Sequence, residues 1–214
     1  MFAGHAFFGT VVGVGLRERK KRETRAALSW AAIRLIVERG YDRVLVEDIA
    51  NEAGVSPRTF NNYFGSKAEA VASRHLDRCL RMADELRARP AGEPLWEAIT
   101  QAMLEVLKPG PEVTSRPRPE KDAWAAGLRL MLEVPAIQAE TLRAAASAES
   151  VVAAAVAERT GTDPAVEMYP NLVAAAVLAA QNVASQAFVA DKQSMPELIT
   201  DALRQISEGL PPPH

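Results

Sequence analysis

Between Ser56 and Lys67 the run SPRTFNNYFGSK concentrates side chains that can hydrogen-bond to base edges and phosphates. Arginine donates twice to guanine O6 and N7, asparagine pairs bidentately with adenine N6 and N7, and a threonine methyl meets the thymine methyl. Arg58, Thr59, Asn61 and Asn62 supply those types in one short stretch, Tyr63 adds a phenol, and Lys67 brings a cation to the start of the next helix. Beside Ser66, its charge and the free backbone N–H groups there are expected to meet a phosphate. This chemistry is recognition, and little in the chain offers bond making. The three histidines are scattered, His75 and Asp77 stand two apart and so on different faces of a helix, and Cys79 has no histidine partner legible in the sequence. No glycine-rich phosphate loop and no metal-ligand cluster is present, so neither a cofactor nor an enzyme activity is expected.

Those groups need a short helix held against a scaffold. Alternation and β-branched clusters are sparse, while Ala, Leu, Arg and Glu abound, so the fold class is all-α, with about nine helices. A first helix is predicted over 17–39, with an apolar stripe of Ala27, Trp30, Ala31, Ile33, Leu35 and Val37, ending at Gly40. A second spans 46–53, with Ile49, Ala50 and Ala53 on one face. Gly54 then permits a sharp turn, Val55 plugs the gap, and Ser56-Pro57 starts a third helix, over 57–63, as N-cap and first helical residue. Phe60 and Phe64 lie four apart and face inward. Two short helices crossing steeply through a glycine turn make a helix-turn-helix. A fourth helix over 67–88 leads to the clearest break, Arg89 to Pro94, where a domain junction is expected nearby with the fourth helix serving both sides.

The ordered run VEDIANEAGVSPRTFNNYFGSKAEAV, preceded by ERGYDRV, resembles the DNA-binding domain of TetR-family transcriptional regulators over residues 23–71. The resemblance implies a three-helix DNA-binding head followed by a larger helical ligand-binding and dimerisation domain, here 17–66 and 67–210, with 211–214 a tail. It also implies double-stranded DNA, a small-molecule effector and a second copy of the chain as partners. Arg58, Thr59, Asn61, Asn62, Tyr63 and Lys67 fall in the DNA-contacting segment, with Tyr63 and Lys67 at phosphate-contact positions. Arg22, in the basic run Arg17 to Arg25, adds a further phosphate contact. The chain departs from the family at Asn61, where an aromatic is usual, and at Leu45, where a threonine or serine commonly caps the second helix.

Downstream helices are predicted over 95–107, 121–133, 136–160, 164–190 and 196–208, with 108–120 a proline-rich loop. GEPLWEAI, GLRLMLEVPAI and TGTDP are similar to a subgroup of the same family that includes responders to acyl-CoA-like molecules. Trp96, Met103, Trp124, Leu128, Met131, Gln181 and Asn182 are the candidate lining of an effector site, the bland alternative being plain core and interhelix hydrogen bonds. Arg129 could reach an acidic ligand group or simply stay exposed. The run Leu172 to Ala180 is apolar nearly all round and lies where this family dimerises through a four-helix bundle. Symmetric pairing would set two recognition helices about 34–36 Å apart, matching a palindromic operator. A repressor released by a small apolar or acyl-type effector is therefore expected, the alternative being a ligand-independent helix-turn-helix protein.

Charge agrees with that division. Residues 1–89 hold 16 Lys/Arg against 11 Asp/Glu (+5), whereas 90–214 hold 9 against 16 (−7), and a basic front half suits a polyanion. The single cysteine allows no internal disulfide. That apolar run is far shorter than the ~20 residues of a membrane span, so no membrane is expected and the location is read as cytoplasmic. Residues 1–16 are read as a poorly ordering arm, or as a misannotated extension ahead of a start at Val12 or Val14.

Overall fold

The computed structural model describes the backbone of residues 9–108, 121–190 and 193–211, with side chains described from residue 17 onward except at 18 and 121–124. Among the described residues there are nine α-helices and no strand. The chain divides into two compact units, Met1–Ala70 and Val71–His214.

The smaller unit begins with α1 (Gly9–Arg39), which starts ahead of the expected Arg17. The eight residues 9–16 placed in an unstructured arm are thus helical; extending a formed helix adds a hydrogen bond for each residue fixed. Its buried face is Leu28, Ala31, Ala32, Leu35 and Ile36, a 3.6-residue pattern that shares Ala31 and Leu35 with the predicted stripe. A 3₁₀ turn, Tyr41–Arg43, absent from the sequence reading, separates α1 from α2 (Val46–Glu52) and α3 (Pro57–Asn61). α2 buries Ile49 and Ala50, and α3 buries Phe60. Helix α4 (Lys67–Ala88) starts in this unit, where Ser29 Oγ donates to the Ala70 carbonyl at 2.6 Å in a fully buried contact.

The larger unit comprises the rest of α4 with α5 (Leu95–Leu107), α6 (Lys121–Glu133), α7 (Pro135–Thr160), α8 (Met168–Ala190) and α9 (Met195–Ser207). Its core joins Met82 and Leu86 of α4 to Ile99 and Met103 of α5, Val152 and Val156 of α7, Val177 of α8 and Ile199 of α9. The Pro90 to Pro94 break is a turn inside this unit, and the division falls earlier, within the unbroken α4. Arg159 of α7 fastens that turn by donating to the carbonyls of Arg89 (3.3 Å), Pro90 (2.6 Å) and Glu93 (2.6 Å). Prolines stop a helix, but long-range contacts decide whether the stop is a corner or a boundary.

α8 starts at Met168 rather than Pro164. Asp163 Oδ1 accepts from Ala165 N–H at 2.9 Å, and Glu167 N–H donates back to the Asp163 carbonyl at 2.8 Å, so a turn precedes the helix. The α9 start is a capping box of Ser194 and Glu197.

Candidate nucleic-acid interface

The turn between α2 and α3 is set by Gly54, whose φ of +72° lies in the left-handed region. No atom lies within 4 Å of a Cβ built there, so conformation and not space calls for glycine. Val55 N–H then donates to the Ala50 carbonyl at 2.9 Å, closing the turn. Ser56 Oγ caps α3 by accepting from Thr59 N–H at 3.1 Å, Pro57 occupies the first turn, and the Ser56 and Thr59 hydroxyls lie 2.9 Å apart.

Phe60 and Phe64 anchor α3 from below. Both are buried, with ring centroids 5.7 Å apart and planes tilted by 53°. The Arg25 guanidinium stands 4.9 Å from the Phe64 centroid, a cation–π contact that ties α1 to the segment after α3. With the aromatics inward, Arg58, Asn61 and Asn62 are exposed, while Thr59 and Tyr63 are half-buried. Arg58, Asn61 and Asn62 stand at i, i+3 and i+4, hence on one face. Among the described residues, the side chains of these three and of Tyr63 make no hydrogen bond within the chain, so the exposed three face outward with their donors and acceptors unspent. Arg22 is exposed on α1 together with Arg17, Arg19, Lys20 and Lys21.

Lys67 differs from expectation. Its Nζ donates to the carbonyls of Tyr41 at 2.5 Å and Val44 at 2.8 Å, and lies 4.2 Å from the Tyr41 ring centroid. Two of the three ammonium donors are thus used inside the head, fastening the 3₁₀ turn to the start of α4. The free N–H groups expected beside it are partly used too. Glu69 N–H donates to Ser66 Oγ at 3.0 Å, and Gly65 N–H donates to Glu69 Oε2 at 2.7 Å. A carboxylate thus occupies part of the helix terminus where a phosphate was expected. Sequence offered no signal for the Lys67 contact, because Tyr41 and Val44 reach it only through the fold. Leu45, at the N-cap of α2, gives no side-chain cap hydrogen bond; Asp48 Oδ2 accepts from Leu45 N–H at 2.9 Å instead, leaving the leucine 60% exposed.

In the larger unit the expected effector residues separate. Met103 and Leu128 are buried core, and Trp96 and Met131 pack half-buried against it. The Trp124 side chain lies outside the described residues. Gln181 is buried, with its Oε1 3.8 Å from Cys79 Sγ of α4, an interhelix contact. Asn182 does not join this group: one residue further round α8, it is exposed beside Val183. Arg129 is exposed, its Nη2 3.4 Å from the Val189 carbonyl.

His75 Nε2 stands 3.9 Å from Cys79 Sγ, a neighbour the sequence reading did not give the cysteine. Burial, then Arg78, lowers the imidazole to about 4, and burial raises the thiol to about 11. A thiolate–imidazolium nucleophile needs both shifts reversed, so this pair is neutral packing.

A short capped helix presenting unspent arginine and asparagine heads, propped by two buried rings and followed by a separate helical unit, defines a helix-turn-helix DNA-binding regulator. The chain belongs to the TetR family of transcriptional regulators. Residues 30–72 match the family profile described as bacterial regulatory proteins, tetR family, and residues 93–211 match the MftR C-terminal domain. It is similar to the HTH-type transcriptional regulator TcmR of Streptomyces glaucescens, 31% identical over 94% of this chain and 88% of that one. Similarity to a protein named mycofactocin biosynthesis transcriptional regulator MftR, of Mycobacterium tuberculosis, is 28% over 90% of this chain and 93% of the relative. Among solved structures, FadR of Thermus thermophilus, in complex with lauroyl-CoA, shares the fold. Its TM-score is 0.52 at 20% identity, with 89% of this chain and 96% of that one covered. The chain is a regulator and not an enzyme. α8 is long and apolar enough to cross a membrane by length and composition, which the nine-residue apolar run had not suggested. The reason is that the helix spans 23 residues and includes its amides, while Val173, Ala174, Val177 and Ala180 are buried in the core of the larger unit.

Proposed function

We propose that the chain is a cytoplasmic repressor that binds a palindromic operator as a homodimer and is released by a small apolar or acyl-type effector bound in its larger unit. The observation that carries the DNA reading is the outward face of α3, with Arg58, Asn61 and Asn62 exposed and unspent. Arg58 and Asn62 read bases, Thr59 and Asn61 flank them, and Tyr63 and Arg22 meet phosphates. Pairing through α8 is supported by its exposed apolar residues. Met168, Leu172 and Val183 are 76%, 61% and 59% exposed, and Ala175, Ala179 and Asn182 continue the same stripe. The acyl-type effector is supported by the lauroyl-CoA bound in the Thermus protein of the same fold.

Selection of bound duplexes from a random pool, followed by titration of the selected operator, tests the reading. Arg58→Ala should relax base preference at one position by about 1–3 kcal/mol. Lauroyl-CoA, the first effector to try, should weaken operator binding about 5–150-fold, and operator should weaken its binding by the same factor. A strictly monomeric protein that selects no duplex would sink the proposal, and equal affinity with and without operator would sink the switch.

A further inference from the structure

Arg74, Arg78 and Arg81 recur at i, i+4 and i+7 along α4 and so share one face of the larger unit. Arg74 is engaged within the chain. Arg78 is half-buried, yet among the described residues it makes neither a hydrogen bond nor an ion pair. Arg81 Nη2 donates to the Val106 carbonyl of α5 at 3.2 Å, while its buried Nε finds no acceptor among the described residues. Glu85, on the same face one turn further on, forms no ion pair with either guanidinium among the described residues. Burial, with Arg74 and Arg81 nearby, lowers Arg78 to about 10, a large displacement for a guanidinium. Removing a cation from water without an opposite charge is costly, and such costs persist where a ligand supplies the missing partner. The planar fork of arginine matches carboxylate and phosphate oxygens. Next to the stripe, Met82 and Leu86 of α4 and Met103 and Val106 of α5 belong to the apolar core.

We infer that Arg78, sharing its helix face with Arg81 and that residue's unpartnered Nε, forms an anion subsite that takes the carboxylate or phosphate head of an acidic amphiphile. This inference rests on the reading that the larger unit binds the effector, and it names the chemistry of the head group. Removing the guanidinium should trade binding for stability, because an apolar side chain suits the half-buried position better than an unpartnered charge.

The test uses the full-length protein, with calorimetric titration of dodecanoate, dodecyl phosphate and neutral dodecanol in monomeric solution. At least one of the two anions should bind about tenfold or more tightly than dodecanol, and the tighter of them identifies the head group. Arg78→Met should weaken that anion about ten- to a hundredfold, leave dodecanol within about twofold, and raise the unliganded melting temperature. Arg78→Lys keeps the charge but loses the fork, and should weaken the same anion about threefold or more, which keeps the inference testable if the methionine variant does not fold. The inference is overturned if neither anion binds more tightly than dodecanol, or if the anion preference survives both variants. Operator affinity of the unliganded wild type is measured alongside. Operator binding intact with no anion preference sinks this inference alone, whereas loss of operator binding sinks the regulator reading whatever the amphiphiles do.

Discussion

Replacing Lys67 by methionine separates two tasks for that cation. In the structure its Nζ donates to the Tyr41 and Val44 carbonyls at 2.5 and 2.8 Å, with the Tyr41 ring 4.2 Å away. A hydrogen bond to a charged group contributes about 1.5–3 kcal/mol when buried, and partial exposure here cuts that by roughly half. The ring contact adds about 0.5–1 kcal/mol. Lys67→Met should therefore cost the head about 2–4 kcal/mol, and at about 4–8 °C per kcal/mol for a unit of this size its melting should fall by about 8 °C or more. Operator binding is then followed by fluorescence anisotropy across a salt series, well below the transition. Each phosphate contact contributes about 0.9 to the slope of log K against log salt. Since the ammonium is spent internally, that slope should match wild type for Lys67→Met, while Arg22→Ala should lower it by about 0.9. A Lys67→Met protein with unchanged melting and a slope reduced by about one would refute the internal assignment and restore the phosphate contact.

Gly54→Ala should destabilise the head by about 1–2 kcal/mol through its left-handed backbone alone, with Gly54→Asn milder; equal melting of wild type and alanine variant would contradict this. If the chain pairs through α8 as proposed, Leu172→Glu on the exposed face of that helix should leave the protomer folded but monomeric by light scattering, with loss of operator affinity; a dimer persisting in the variant would remove α8 from the interface. His75 is held neutral, its value lowered from 6.5 to about 4, so the unfolded chain binds more protons between those values. The stability it contributes is present above pH 6.5 and is lost as pH falls toward 4; His75→Gln should flatten melting temperature against pH in that window, and parallel curves would refute it.

The sequence alone determined the all-helical class, the glycine turn, the Ser56 cap and the inward aromatics, because each follows from neighbours no more than four residues apart. α4, α5 and α6 begin and end where propensity and proline punctuation placed them for the same reason. Tertiary structure alone decided which polar groups stayed free. Arg58, Asn61 and Asn62 resemble Lys67 in sequence terms, yet two carbonyls over twenty residues upstream take the lysine ammonium and leave the other three unspent. Gln181 and Asn182 are adjacent and chemically alike, but 100° of helix rotation puts one against Cys79 and the other on the surface. The Arg78 stripe stayed invisible for the same cause: local patterning sets which face a side chain shares, while burial and missing partners are properties of everything packed around it.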